Sequence, residues 1–308
     1  MGRLIVFFTL ITFNFSIAQI NEVAKEIKRI QFQLPDTIMG WERDGNLRLN
    51  FNQAFYENWQ SGESNTIELN AHISHDFNYQ KNKIIWDNKL LFDYGLSKIN
   101  GYDIRKTQDK LEINSVIGGK SANRWSYSFF VNLQTPVSNT YNYDKDLKRD
   151  NRTAGFLAPL YMAAGPGIMW RKDANLHLNI APVTAKSVYI NGWVNRFNTQ
   201  LDRFENNNER EIYGVLPGEQ FRHKLGFYSS AYMKLDLMKN VKMENRLSIY
   251  SNFLEEPENI DFDYTMNLIL KINDLLSTSI VIQTRYDDKE YEGLQLRETF
   301  GIGLNFKI

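Results

Sequence analysis

The sequence of 308 residues contains no cysteine. That excludes disulfide staples, thiolate metal sites and anchoring through a lipidated cysteine. Charge of one sign is also missing: 36 basic residues face 36 acidic ones, which removes the electrostatic footprint of a nucleic-acid binder. After the N-terminus no run of about 18 apolar residues occurs, so no transmembrane helix is expected. A mean hydropathy of −0.45 agrees with that, but neither observation bears on membrane β-barrels, whose lipid-facing residues are diluted one to one by lumen-facing ones.

What is present first is an export signal. "MGRLIVFFTLITFNFSIAQ" carries Arg3, an apolar run, and Ser16-Ile17-Ala18 as a small-x-small cleavage site, so residues 1–18 read as a signal peptide. In "INEVAKEIKRI", Ile20, Val23, Ala24 and Ile27 recur at helical spacing. The pattern predicts a short amphipathic helix in a periplasmic arm over 19–40. The remainder, 41–308, reads as one all-β domain.

Its signal is alternation of period two. In residues 65–96, Ile67, Leu69, Ala71, Ile73, Phe77 and Tyr79 oppose Glu68, Asn70, His72, Ser74, Asp76 and Asn78. After "QKNK", Ile84, Trp86, Leu90, Phe92, Tyr94 and Leu96 oppose Asp87, Lys89 and Asp93. Each run is roughly twice the usual 5–6 residues of a soluble strand; a tilted strand crossing hydrocarbon needs about 9–11. Further runs follow at 45–55, 110–118, 125–135, 157–170, 176–188, 224–237, 241–254, 260–272, 276–287 and 294–308. Roughly twelve strands result, with ten or fourteen as alternatives. Pro159, Pro166 and Pro182 fall inside these runs, and bulges or later strand starts would accommodate them. The connections alternate long and short, as expected for an antiparallel up-and-down barrel in the bacterial outer membrane. The aromatics fall in two bands on the apolar face. Tyr79, Trp86, Trp125, Trp170 and Phe306 are expected at the periplasmic ends, and Tyr94, Phe227, Phe253, Phe262 and Tyr286 near the extracellular ends. A soluble barrel with its apolar face inside is the architectural rival.

The stretches "LNFNQAFYENWQSGESNTIELNA", "WDNKLLFDYGL", "RKTQDKLEINS", "FFVNLQTPVSNTYNY" and "RTAGFLAPLYMAAGPGIMW" resemble, in order, an uncharacterised family of Bacteroidota outer-membrane proteins, domain of unknown function 3078. The likeness covers roughly residues 41–190 and departs from the family pattern at Gly62-Glu63, where a glycine pair would stand. The resemblance implies a barrel and a location, and it brings no catalytic residues.

If the apolar face meets lipid, the polar face lines a lumen. It carries Glu68, Asp76, Asp87, Lys89, Asp93, Lys110, Glu112, Lys242, Glu244, Arg246, Asp261, Asp263, Lys271, Arg285 and Arg297. A selective open pore presents one sign at its constriction; mixed signs suggest ion pairs filling a narrow interior. For hydrolytic chemistry, only His223, with Ser229 and Ser230 downstream, falls near the extracellular leaflet, and no motif spacing supports a catalytic group. The acidic "EEPENIDFD" could hold calcium but reads more plainly as a solvated loop. No enzyme activity, cofactor or metal is therefore expected.

Loops 136–156 and 189–223, polar with embedded aromatics, are the expected functional surface or a folded-in plug. The expected surroundings are outer-membrane lipid, lipopolysaccharide and the barrel-assembly machinery, with small solutes or extracellular ligands at the loops. A small-solute channel, narrow or gated, is the first functional expectation. A non-conducting structural or surface barrel is the second, and a lipid-modifying enzyme a distant third.

Overall fold

The computed structural model describes residues 40–56, 64–119, 124–173, 175–273, 275–287 and 291–307. The expected signal peptide, the arm helix and the departure at Gly62-Glu63 lie outside these residues. The first strands are β1 (Gly40–Ala54), β2 (Thr66–Lys81), β3 (Ile84–Ile99), β4 (Arg105–Gly119) and β5 (Trp125–Thr135). Two short ones, β6 (Thr140–Tyr141) and β7 (Arg152–Ala154), precede β8 (Leu160–Asp173) and β9 (Leu176–Tyr189). A second short pair, β10 (Asn195–Asn198) and β11 (Arg203–Asn206), leads to β12 (Phe221–Met238) and β13 (Val241–Asn252). The chain ends with β14 (Ile260–Lys271), β15 (Leu276–Asp287) and β16 (Tyr291–Lys307).

Twelve of these form a closed antiparallel barrel in the order β1-β16-β15-β14-β13-β12-β9-β8-β5-β4-β3-β2. β6–β7 and β10–β11 are separate hairpins inside the two long excursions. The wall closes where Asn46–Phe51 of β1 pair with Ile302–Lys307 of β16. The tight-turn rim joins β2 to β3 through 82–83 and β12 to β13 through 239–240, and holds the strand ends that join β4 to β5, β8 to β9 and β14 to β15; the long-loop rim carries 100–104, 136–159, 190–220 and 253–259 and the strand ends that join β1 to β2 and β15 to β16. In two of the tight turns Asn82 and Asn240 adopt φ of 54° and 67°, a left-handed conformation that asparagine tolerates better than other side chains.

Several boundaries differ from the sequence pattern: β4 runs Arg105–Gly119, β8 is displaced to Leu160–Asp173, and β12 extends over Phe221–Met238. β1 starts at Gly40, so Trp41–Asp44 belong to the wall, and Tyr291–Gly293 join β16. The prolines resolve as local irregularities. Pro159 precedes β8, and Pro166 sits where the β8–β9 register shifts between Ala164 and Ile168. Pro182 occupies a bulge: on β12, Gly226 faces Thr184 and Tyr228 faces Ala181, so Pro182 and Val183 together oppose Phe227. The extra residue absorbs the missing N–H and reverses which side chains of β9 point inward from there on.

The barrel is inside-out relative to a soluble one. Leu69, Ile117, Phe129, Ile168, Leu247, Phe300 and Ile302 are exposed on the outer wall, while the side chains paired inside the bore are charged. The soluble rival, with its apolar face inside, is overturned by this placement. A cluster of buried apolar side chains lies at the long-loop rim: Ala158, Val188, Ile190, Val194, Ile212 and Val215, with Tyr161 and Tyr213 packed against them.

Candidate functional site

Strand alternation and register turn one face of each wall strand toward the bore, and the ion pairs show what the charged residues on those faces do. Along the wall, His72 Nδ1 lies 2.5 Å from Asp93 Oδ1, and Lys110 lies 3.6 Å from Asp93 and 3.0 Å from Glu112. Lys89 is 3.1 Å from Asp76, and Glu244 takes Lys234 at 3.5 Å and Arg246 at 3.7 Å. Other contacts join strands that are not neighbours. Arg171 of β8 reaches Asp87 of β3 at 2.7 Å, and Lys186 of β9 reaches Asp261 of β14 at 3.6 Å. The Lys89 ammonium stands 5.8 Å from the Tyr232 ring, which Arg246 also approaches at 5.9 Å. Phe130 of β5 stacks on Tyr228 of β12 with centroids 4.7 Å apart. Charges of both signs, with aromatic rings beside them, thus line the bore as a connected network, and networks of this kind rigidify when satisfied.

The remaining sequence-selected polar residues take smaller parts. Glu68 accepts a hydrogen bond from Asn70 Nδ2 at 3.0 Å. Asp263 accepts two from Gln283 Nε2, at 3.0 and 2.9 Å, and lies in register with Arg285. Arg297 faces Gln283, and Lys271 faces Ser277 at the tight-turn end. Lys242 pairs with Asp236 at 3.4 Å in a largely exposed position.

Sequence reasoning missed Arg171, which lies one residue past the alternating run, and Lys186. Unbroken alternation from Asn179 would turn Lys186 outward; the bulge at Pro182 turns it in. Cationic Lys186 and Lys224 consequently stand directly opposite one another, with Asp261 and the Tyr250 ring, 4.6 Å from the Lys186 ammonium, beside them.

On the outer wall, Trp41, Tyr79 and Trp86 cluster at the tight-turn rim, Trp41 lying 5.1 and 5.7 Å from the other two rings. Trp125 opposes Trp170, and Phe306 opposes Leu47 near the same rim. Toward the long-loop rim Phe262 and Tyr286 stack at 6.3 Å, and Phe253 is exposed just past β13. Two placements differ from the expected bands. Phe227 lies well inside β12 beside the bulge, and the rim rings there are Tyr189 and Phe221. Tyr94 is covered by the long excursion, whose Ser138 Oγ donates to its hydroxyl at 3.3 Å.

The two long excursions form a folded cap. Asp109, almost fully buried, accepts from the backbone N–H groups of Val137 at 2.8 Å and Ser138 at 3.0 Å and pairs with Lys106. Lys106 also donates to the carbonyls of Ser138 and Asn139. This fastens the first excursion to β4. Arg152 then clamps the second, donating to Trp193 O at 3.1 and 2.8 Å and to Asn191 O at 2.8 Å. Tyr213 donates to Thr153 O at 2.8 Å. The second excursion rests on inward-facing rim residues: Tyr161 and Val188 support Ile212 and Val215, and Arg222 meets Glu211 at 3.8 Å and Glu255 at 2.6 Å. Gly214, at φ 76°, passes so close to the Arg222 guanidinium that a Cβ there would collide.

Among the described residues no cluster of three or more histidine or acidic side chains is placed to hold a metal ion. Of the serines singled out beside His223, Ser229 donates to Asn179 O at 3.0 Å; the serine that reaches His223 is Ser187, at 2.8 Å from its Nδ1.

A profile of the family described as "Protein of unknown function (DUF3078)" matches residues 51–141. No curated protein matches the chain. Among solved structures, the translocator domain of the autotransporter NalP from Neisseria meningitidis aligns at 7% identity and TM-score 0.37. That alignment covers 94% of this chain and 96% of that one. The outer membrane channel DcaP of Acinetobacter baumannii aligns at 8% identity and TM-score 0.30, covering 87% and 96%. OccK5 (OpdH) of Pseudomonas aeruginosa aligns at 6% identity and TM-score 0.25, covering 87% and 98%. The barrel assignment itself rests on the closed strand ladder of this chain.

Proposed function

We propose that this chain is a bacterial outer-membrane barrel that is closed at rest and works through the folded cap on its long-loop rim, as a structural or surface-interaction protein. The membrane setting is supported by the exposed apolar outer wall: a band of that extent in water would be an aggregation liability, whereas in lipid it is the ordinary solvent-facing surface. The two long excursions on one rim, 136–159 and 190–220, support a cap outside the cell, with the opposite rim in the periplasm. The observation that supports the closed reading is the set of contacts between non-neighbouring strands inside the bore, Arg171–Asp87 and Lys186–Asp261 above all. Lipopolysaccharide around the wall and the barrel-assembly machinery are the partners this setting brings.

A second reading, a gated small-solute pathway, draws on a different observation. The Arg171 and Asp87 side chains keep 23% and 27% of their accessible surface, so water reaches the pairs that interrupt the bore. Single-channel recording in planar bilayers separates the two. The closed reading expects no discrete steps from the heat-modifiable, folded protein, and none from an Arg171→Ala/Lys186→Ala double variant either, because Lys89, Arg246 and the Tyr232, Phe130 and Tyr228 rings still meet inside the bore. Steps appearing only in the double variant support the gated pathway; open steps from the native protein at low voltage overturn the closed state altogether.

A further inference from the structure

We propose that Ser187 and His223 form a nucleophile–base pair acting on acyl esters of the lipid that surrounds the barrel. The proposal rests on the membrane setting argued above. The two residues are register partners on neighbouring strands β9 and β12, and Ser187 Oγ lies 2.8 Å from His223 Nδ1, within the reach that an activated nucleophile needs. The bulge at Pro182 creates the pair: without its extra residue Ser187 would face the bore. Both side chains instead point out of the wall, and their contact is exposed.

Their height suits an ester group. Ser187 stands two positions before the end of β9 and His223 two positions after the start of β12, at the long-loop rim. Around them the wall is aromatic and aliphatic. Phe221 stacks on the His223 ring at 5.8 Å and packs at a tilt against the Tyr189 ring at 4.6 Å, Leu225 is exposed on the same face, and Met162 opposes Ser187. Aromatic rings of this kind settle at the boundary between headgroups and acyl chains, where ester linkages lie. Acyl chains would lie along the apolar wall below, with the carbonyl presented at the level of the serine.

In the reaction, Ser187 Oγ attacks the ester carbonyl carbon while its proton passes to His223 Nδ1. The tetrahedral intermediate collapses, the bond to the alcohol oxygen breaks, and that oxygen takes the proton. Water then attacks the acyl-serine, giving its proton to His223, which returns it to Ser187 Oγ as the carboxylic acid leaves. Among the described residues no carboxylate bonds to His223, so turnover is expected to be slow; loss of the orienting acid from a serine–histidine–acid triad costs about 10⁴-fold.

The test uses the full-length, detergent-purified barrel, with heat-modifiable gel mobility confirming the fold of every variant. Three readouts apply: mass-spectrometric mapping of a fluorophosphonate adduct, hydrolysis of a water-soluble p-nitrophenyl ester, and fatty acid release from phosphatidylethanolamine in mixed micelles. The expected result is an adduct at Ser187, absent in Ser187→Ala and formed at least ~100-fold more slowly in His223→Ala, with fatty acid release lost in both. A folded protein without the adduct, or fatty acid release that persists in Ser187→Ala, overturns the proposal. Since adduct formation and soluble-ester hydrolysis need no bilayer, the pair can fail while vesicle insertion succeeds, or the reverse.

Discussion

Replacing Arg171 with alanine tests whether contacts between non-neighbouring strands help hold the bore shut. The Arg171–Asp87 pair joins β8 to β3 with β4 and β5 between them, so its energy does not report on neighbouring-strand pairing. At 2.7 Å two unit charges attract by about 6 kcal/mol at an effective dielectric of 20 and about 1.5 kcal/mol in bulk water. Both side chains keep roughly a quarter of their surface, and desolvation offsets much of the attraction. The variant is therefore expected to lose about 1–3 kcal/mol, between the values for exposed and fully buried pairs. A double-mutant cycle with Asp87→Asn should return a coupling of about 1–2 kcal/mol, read from reversible urea unfolding in vesicles by tryptophan fluorescence. Lys242–Asp236 serves as the reference, since it is a largely exposed pair between adjacent strands, with an expected coupling below about 0.5 kcal/mol. If the Arg171–Asp87 coupling is no larger than that, the charges do not meet inside the bore and the closed reading loses its support.

Three other outcomes are expected. Gly165→Val should destabilise the barrel by about 1–3 kcal/mol, because a Cβ there would lie 2.5 Å from the Val183 carbonyl oxygen at the bulge; an unchanged urea midpoint would show that the bulge backbone can give way. Arg152→Ala removes the clamp on Trp193 and Asn191, so limited proteolysis should cut within 190–220 faster while the unfolding midpoint of the wall stays put; equal cleavage rates would mean the cap core alone holds the excursion. The third concerns acid. Within the β10–β11 hairpin the hydrogen bond from Asn198, then Arg203 and Arg210, hold the Glu205 carboxyl below its ordinary value of 4.5. With the folded value below the unfolded one, the contribution is complete above pH 4.5 and fades as pH falls through the lower folded value. Pepsin cleavage within 195–206 should accelerate on acidification below pH 4.5 in the native protein and change less in Glu205→Gln.

Mixed charge along the strands suggested an occupied interior, but a list of Glu68, Asp87, Lys89 and Glu244 holds no information on which charges meet. Lys242 sits in the same alternating pattern as Glu244 and ends in an exposed rim pair. Arg171, beyond the end of the alternating run, reaches Asp87 three strands away at 2.7 Å.

Period-two alternation over long runs, broken by alternating tight and long connections, by itself determined a closed antiparallel wall of about twelve strands with charge inside and apolar side chains outside. Each such decision is local: a side chain's face follows from its neighbours two residues away, and Asn82 and Asn240 mark their turns without help from the rest of the chain. What only the tertiary structure decided begins at Pro182. One extra residue there exchanges the two faces of the strand end, sending Lys186 to Asp261 and Ser187 to His223. The bulge is defined by what β8 and β12 place opposite it, so the sequence of β9 alone cannot say where the reversal begins. The cap is the same case on a larger scale. Val194, Ile212 and Val215 are too sparse in their polar surroundings to show a period, and they become a core only because Arg152 and the inward-facing Tyr161 and Val188, distant in the chain, close around them.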